Sequence, residues 1–276
     1  MNSPLLVTVI MATYNWATVL PYSIASALGQ TMGDFELLVI GDGCTDESEE
    51  VVRAIDDPRV QWVNLLVNGG SQAGPNNEGL RRARGVYTAY LGHDDLWLPD
   101  HLHRLLWAAR EGASIVHAHQ LRVEPGHAPY ISPKRGWAYR PGLWISPTSM
   151  MHRTDHGRAA GGWRYPAESG VRDPEADLCE RISAQFGPPR CVGNLTSIKF
   201  PAMHRRDVYR LRPCHEQEEW SRRIREADEP EIMARRATYD PIDVSLGEIP
   251  QELLGKLPDS AAERHALRRR IKGLDS

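Results

Sequence analysis

Thr88-Ala89-Tyr90-Leu91-Gly92-His93-Asp94-Asp95-Leu96-Trp97 is an apolar run that ends in two adjacent carboxylates, with Pro99 two residues on. A run of that length reads as a buried strand. Neighbouring carboxylates at its C-terminal end are costly unless a cation neutralises them. A divalent metal carrying a phosphorylated substrate fits, because hard cations such as Mg²⁺ take one or two carboxylates together with phosphate oxygens. A polar turn after a strand is the plainer reading of the same residues. The segments upstream decide between the two.

Residues 5–12 form an apolar run suited to a strand covered on both faces, and Thr13-Tyr14-Asn15 breaks it. Leu20, Ile24, Ala27 and Leu28 then recur at helical spacing. A second strand over 35–40 ends at Gly41-Asp42-Gly43-Cys44-Thr45-Asp46, which leads into a helix near 47–55. Residues 60–65 read as a third strand, and 68–77 as a loop running into a short helix that ends at Arg84. This alternation predicts an α/β fold with an open, mainly parallel sheet. Right-handed crossovers bring the strand C-termini to one edge, where such sheets bind ligands. Thr13, Asp42, Ser71 and Asp94-Asp95 all fall at strand ends or just after them. Gly41-Asp42-Gly43 does not continue as a dinucleotide fingerprint, because position 46 is Asp and the first strand-helix junction has no glycine.

Three stretches resemble glycosyltransferase family 2: residues 9–15, residues 38–46 and residues 85–95. A weaker fourth joins Gly161-Gly162-Trp163 to residues 175–181. The resemblance spans about residues 5–210. It implies a GT-A type fold, with a central, mostly parallel mixed sheet flanked by helices. It also implies an inverting transferase that uses a nucleotide-diphosphate sugar, with UDP preferred over GDP, and a divalent Mn or Mg ion. The acceptor would be a saccharide or a lipid-linked molecule, in polysaccharide or glycoconjugate synthesis.

Roles follow from the resemblance position by position. Thr13 and Asp42 look like the base- and ribose-contacting residues, with Tyr14, Ser71 and Asn77 beside them. Asp94 resembles the carboxylate reaching ribose or metal, and Asp95 the metal ligand. Glu175 falls where the family places its catalytic carboxylate, and Asp173 is the alternative. Where the family often has Asp, Gly92 and Gly41 stand here, and Asn76-Asn77 replaces an Arg-Asn pair. His204 is a further metal candidate, although a lone His is more often an ordinary hydrogen-bonded group. Trp163 is the aromatic best placed to stack on acceptor sugar, ahead of Trp97, Trp137 and Trp144, all of which also suit a core. His93, His117 and His119 read as packing residues.

The chemistry explains why carboxylates of two kinds are needed. Departure of a diphosphate develops negative charge that a metal can stabilise. The acceptor hydroxyl is a poor nucleophile, and a carboxylate in reach of its proton contributes on the order of 10²–10⁴-fold. A nucleotidyltransferase shares the layout but wants a glycine-rich, cationic loop after the first strand. A non-catalytic nucleotide-sugar-binding protein is the other alternative, and retention of Asp42, Asp94, Asp95 and Glu175 speaks against it.

The chain has 276 residues, 41% of them hydrophobic and 25% charged, with a net charge of −3. That balance gives no general attraction to nucleic acid. Four cysteines without a C-x-x-C pair disfavour zinc and disulfide frameworks. No signal segment or membrane-spanning run is evident, so the expected location is cytoplasmic, with a membrane-peripheral position open. Residues 1–212 are expected to form the GT-A domain, with 1–100 the nucleotide-binding part and 101–212 the acceptor part. Residues 213–276 are expected to form a helical extension. Residues 120–142 read as irregular loop, 143–151 as strand, and 177–186, 215–227 and 261–274 as helices. The extension could pack on the domain, mediate a homodimer, or meet a membrane through Arg268-Arg269-Arg270-Ile271-Lys272. A solvated helix face is the plainer reading of that basic run.

Overall fold

A computed structural model describes residues 5–133, 138–165, 173–226 and 260–275. The first half contains β1 (Val7–Thr13), α1 (Leu20–Leu28), β2 (Phe35–Gly41), α2 (Ser48–Arg53), β3 (Val60–Asn64), α3 (Ala73–Arg82), β4 (Tyr87–Tyr90), β5 (Leu96–Trp97) and α4 (His101–Ala109). There follow β6 (Ile115–Arg122), β7 (Tyr130–Ser132), β8 (Met150–Arg153), α5 (Thr154–Ala159), α6 (Pro174–Phe186), β9 (Arg190–Lys199), α7 (Val208–Leu211), α8 (His215–Glu226) and α9 (Ala261–Lys272).

All seven residues of β2 and six of the seven in β1 are buried, so both strands lie inside a sheet covered on two sides. They pair in parallel, with Val7 opposite Phe35 and Thr13 opposite Gly41. β3 joins β2 and β4 joins β1, again in parallel. The sheet continues as β8, β6, β9 and β5, and β7 hangs on β6. The β4–β8, β8–β6, β6–β7 and β5–β9 pairs are antiparallel, so the sheet is mixed.

Helices cover both faces because their apolar residues repeat at helical spacing. In α4, Leu102, Leu105, Leu106 and Ala109 share one buried face. α3 lies close on β1: a Cβ at Gly79 would come 2.6 Å from the Ile10 side chain. The core contains a buried carboxylate that pattern reading does not reveal. Glu36 accepts from Thr8 Oγ1 at 2.7 Å and from Arg84 Nε at 2.7 Å, tying the entry of β4 to β1 and β2. Burial opposes its charge, and the Arg84 and Thr8 hydrogen bonds overcome that, holding the carboxyl below its ordinary range.

The structure departs from the sequence expectations at element ends. The strand before Asp94 stops at Tyr90, because Asp95 N–H turns back onto the Gly92 carbonyl at 3.0 Å. Of residues 143–151 only the end is strand: Pro147 opens a 3-10 turn before β8. The loop expected over 120–142 holds the end of β6 and all of β7. α6 begins three residues earlier than its apolar spacing suggests, because Pro174 suits a first helical turn. Trp220 of α8 is buried with Leu96, Leu98 and Phe200, and Ile271 of α9 is 1% exposed. α8 therefore packs on the sheet, and α9 packs on the Ala202–His204 turn and α7.

Candidate functional site

The C-terminal ends of β1, β2 and β4 open into a cavity of about 450 Å³. Of the residues singled out from sequence, Thr13, Tyr14, Asp42, Ser71, Asp94, Asp173, Glu175 and His204 line it. Asp95, Asn77 and Trp163 do not.

Asp42 N–H donates to the Thr13 carbonyl at 2.8 Å, continuing the β1–β2 ladder into the cavity wall. Asp42 Oδ1 accepts from Gly69 N–H at 3.0 Å. Burial pushes this carboxyl up, and the Gly69 and Gly70 amides oppose that. Asn15, at φ 44°, clamps the two corners together: its Oδ1 accepts from Thr45 N–H at 2.7 Å. The Thr13 hydroxyl is held by His93 Nδ1 at 2.8 Å, and His93 Nε2 meets the Tyr209 hydroxyl at 3.2 Å. Burial brings the His93 pKa down to about 3, so the ring is a neutral strut. Its edge packs on Trp16, with centroids 5.3 Å apart.

The paired carboxylates divide their work. Asp94 faces the cavity. Asp95 is 0% exposed, and both its oxygens are taken. Oδ2 accepts from Lys199 Nζ at 2.8 Å and from the Thr148 hydroxyl, and Oδ1 accepts from Phe200 N–H at 3.0 Å. Asp95, expected from sequence as a metal ligand, is here the buried counter-ion of Lys199. Burial works against the Lys199 charge, and Asp95 and Asp94 overcome it, holding the ammonium above its ordinary range. Gly92 has no room for a side chain, since a Cβ there would collide with Asp95 Oδ2. That is a physical reason for glycine where the family often has Asp.

His204 lines the cavity, but its Nδ1 lies 3.0 Å from Glu124 Oε2. Among the described residues no three His, Cys, Asp or Glu side chains gather as a ready metal cage. Asp94 as one carboxylate, completed by diphosphate oxygens and water, still meets the modest demand of Mg²⁺ or Mn²⁺.

Glu175 sits in the first turn of α6, just after Asp173 at the N-cap. Gln72 Nε2 donates to Glu175 Oε1. Burial, reinforced by Asp173, pushes the Glu175 carboxyl well above its ordinary range. Asp173 Oδ1 is buried without a hydrogen-bond partner among the described residues.

Asn77 and Trp163, expected from sequence to face substrate, lie together away from the cavity lining. Trp163 is 2% exposed and packs edge-on against Tyr90, centroids 5.0 Å apart, as a core residue does. Asn77 holds its backbone from both sides, donating to the Trp163 carbonyl at 2.9 Å and accepting from the Trp163 N–H at 2.8 Å. Asn77→Ala should lower stability by about 1–3 kcal/mol and leave nucleotide affinity unchanged, read by urea denaturation and nucleotide titration. A specific loss of nucleotide binding would return Asn77 to the site. Trp97 is also core: its Nε1 donates to the Thr148 carbonyl at 2.7 Å. Trp144 lines the cavity, 5.6 Å from the Arg122 guanidinium, and Trp137 lies outside the described residues.

Sequence reading missed Asn15, Lys199, Tyr209 and one face of α9. The basic run 268–272 does not form a wholly solvated face: Arg268, Arg269 and Lys272 line the cavity, and Ile271 is buried.

The fold is of the GT-A glycosyltransferase type. It superposes on S. aureus TarS in complex with UDP-GlcNAc, with a TM-score of 0.56 at 14% identity over 84% of this chain and 70% of that one. It also superposes on the mannosyltransferase PcManGT of Pyrobaculum calidifontis in complex with GDP-Man and Mn²⁺, with a TM-score of 0.56 at 19% identity over 86% and 70%. Residues 8–164 match Glycosyl transferase family 2, and the chain belongs to that family. A similar sequence is the Escherichia coli UDP-Glc:alpha-D-GlcNAc-diphosphoundecaprenol beta-1,3-glucosyltransferase WfaP, 33% identical over 93 residues, which is 34% of this chain and 37% of that protein. The chain spans about half or less of the length of the curated relatives it matches.

Proposed function

We propose that this chain transfers a sugar, with inversion, from a nucleotide-diphosphate donor to an acceptor hydroxyl, with UDP-sugars preferred. The observation that carries this reading is one cavity shared by Thr13 and Asp42, by Asp94, and by the Asp173–Glu175 pair. Thr13 and Asp42 hold the nucleoside, and the Thr13 hydroxyl is kept in place by the neutral His93. A divalent ion held by Asp94 and the diphosphate oxygens would supply charge neutralisation at the leaving group. Glu175, oriented by Gln72, takes the proton of the acceptor hydroxyl as it attacks the anomeric carbon. Burial and the neighbouring Asp173 raise its pKa, which strengthens it as a proton acceptor once deprotonated. The WfaP likeness supports a saccharide acceptor carried on a lipid diphosphate. Among the described residues no helix is long and apolar enough to cross a membrane.

Nucleotide titration with thermal denaturation tests the donor half. With Mn²⁺ present, UDP at about 100 times its dissociation constant should add about 2.7 kcal/mol of stability. A chelator should remove most of that gain. Equal stabilisation with and without chelator would sink the metal-dependent part. No stabilisation by UDP or GDP under either condition would end the donor reading.

A further inference from the structure

The α9 helix lies outside the segment that matches the family, yet it forms one wall of the cavity. It is docked firmly: the Ile271 side chain is buried, and the Ile271 carbonyl accepts from Asp207 N–H at 2.8 Å. His265, Arg268, Arg269 and Lys272 fall three, four and seven residues apart and share the face turned to the cavity. Arg269 closes on Gly70, where a Cβ would meet its guanidinium, and is held by Asp275 at 2.7 Å. Arg268 and Lys272 are different. The buried Arg268 Nε has no hydrogen-bond partner, and among the described residues neither side chain forms an ion pair. Lys272 Nζ stands 5.8 Å from the Tyr209 ring, the ring whose hydroxyl braces His93.

Resting on the donor reading above, we propose that Arg268 and Lys272 are the diphosphate-binding side chains of this cavity. Arg268 and Lys272 are half-buried, a cation drawn partly out of water without a partner is costly, and an anion that enters between them lowers that cost. The carboxylates already present do not fill the role. Asp94 acts on Lys272, Arg268 acts on Glu175 and Arg269 on Asp42, all through space rather than by contact. A diphosphate brings two charged groups to the cavity that Thr13 and Asp42 also line. The cations would thus supplement the single carboxylate-held metal that the loss of an Asp at position 92 leaves.

Isothermal titration with UDP and with uridine, in Mn²⁺ and in chelator, tests this on the full chain. Arg268→Gln with Lys272→Gln should weaken UDP binding by about tenfold or more, since each removes a charge-assisted hydrogen bond. Uridine affinity should stay unchanged, and Lys272→Arg should keep UDP affinity. The loss should be larger in chelator than in Mn²⁺. Lys272→Met, which keeps the stem buried, gives a second reading if the double variant folds poorly. Unchanged UDP affinity in these variants, with uridine still bound, overturns the proposal and spares the donor reading. Failure of the wild-type chain to bind either compound ends both.

Discussion

Asp95→Asn is expected to lower folding stability by about 3–5 kcal/mol, as for a buried ion pair that loses one partner. The substitution leaves Lys199 without its counter-charge and turns an acceptor-only group into one that also donates. Thr148, Phe200 N–H and Lys199 all donate to Asp95, so an amide nitrogen placed there meets donors. Urea denaturation reads the loss. Pairing Asp95→Asn with Lys199→Met should recover part of it, because the orphaned ammonium is then gone. A single-variant loss under about 1 kcal/mol would show that the pair is not structural. A carboxylate that only held a metal at the cavity surface would be removable at little cost to the fold.

Glu175→Gln is expected to lower sugar transfer by at least about 10²-fold with donor affinity unchanged. The amide keeps the shape and cannot take the acceptor proton. The pH dependence follows from the raised pKa of Glu175. Activity needs the deprotonated form, so transfer should fall as pH drops through a value above the ordinary carboxylate range. Stability runs the other way. A carboxyl whose folded pKa is raised favours the fold below its unfolded value of about 4.3 and loses that contribution as pH rises through the folded value. The Gln variant should therefore lose rate without losing stability near neutrality. A normal rate in Glu175→Gln with a collapsed rate in Asp173→Asn moves the base to Asp173. Normal rates in both remove a base from this segment.

The parallel half of the sheet was legible because β1 and β2 are covered on both faces and therefore read as unbroken apolar runs. The polar corners were legible for the same reason: in such a sheet Thr13, Asp42 and Asp94 must follow strands that end on one edge. What sequence could not separate was Asp94 from Asp95. Adjacent residues in a tight turn point to different sides, and the partner that claims Asp95 is Lys199, 104 residues away. The burial of Trp163 was not legible for a related reason, since a tryptophan after two glycines looks the same whether it faces a core or a ligand. Arg268 and Lys272 gave no warning, because a basic helix face has the same spacing when it lines a cavity as when it meets water.

The Lys199–Asp95 link also bears on how the chain can be divided. The segment 8–164 carries the family match and the Thr13, Asp42 and Asp94 corners, but not the cation or the Phe200 amide that satisfy Asp95. β5, which follows Asp95 directly, pairs only with β9, which ends at Lys199. A piece cut at residue 164 would leave the buried Asp95 carboxylate without these partners. Lys199 and the Phe200 amide, which lie beyond that segment, complete the Asp95 corner.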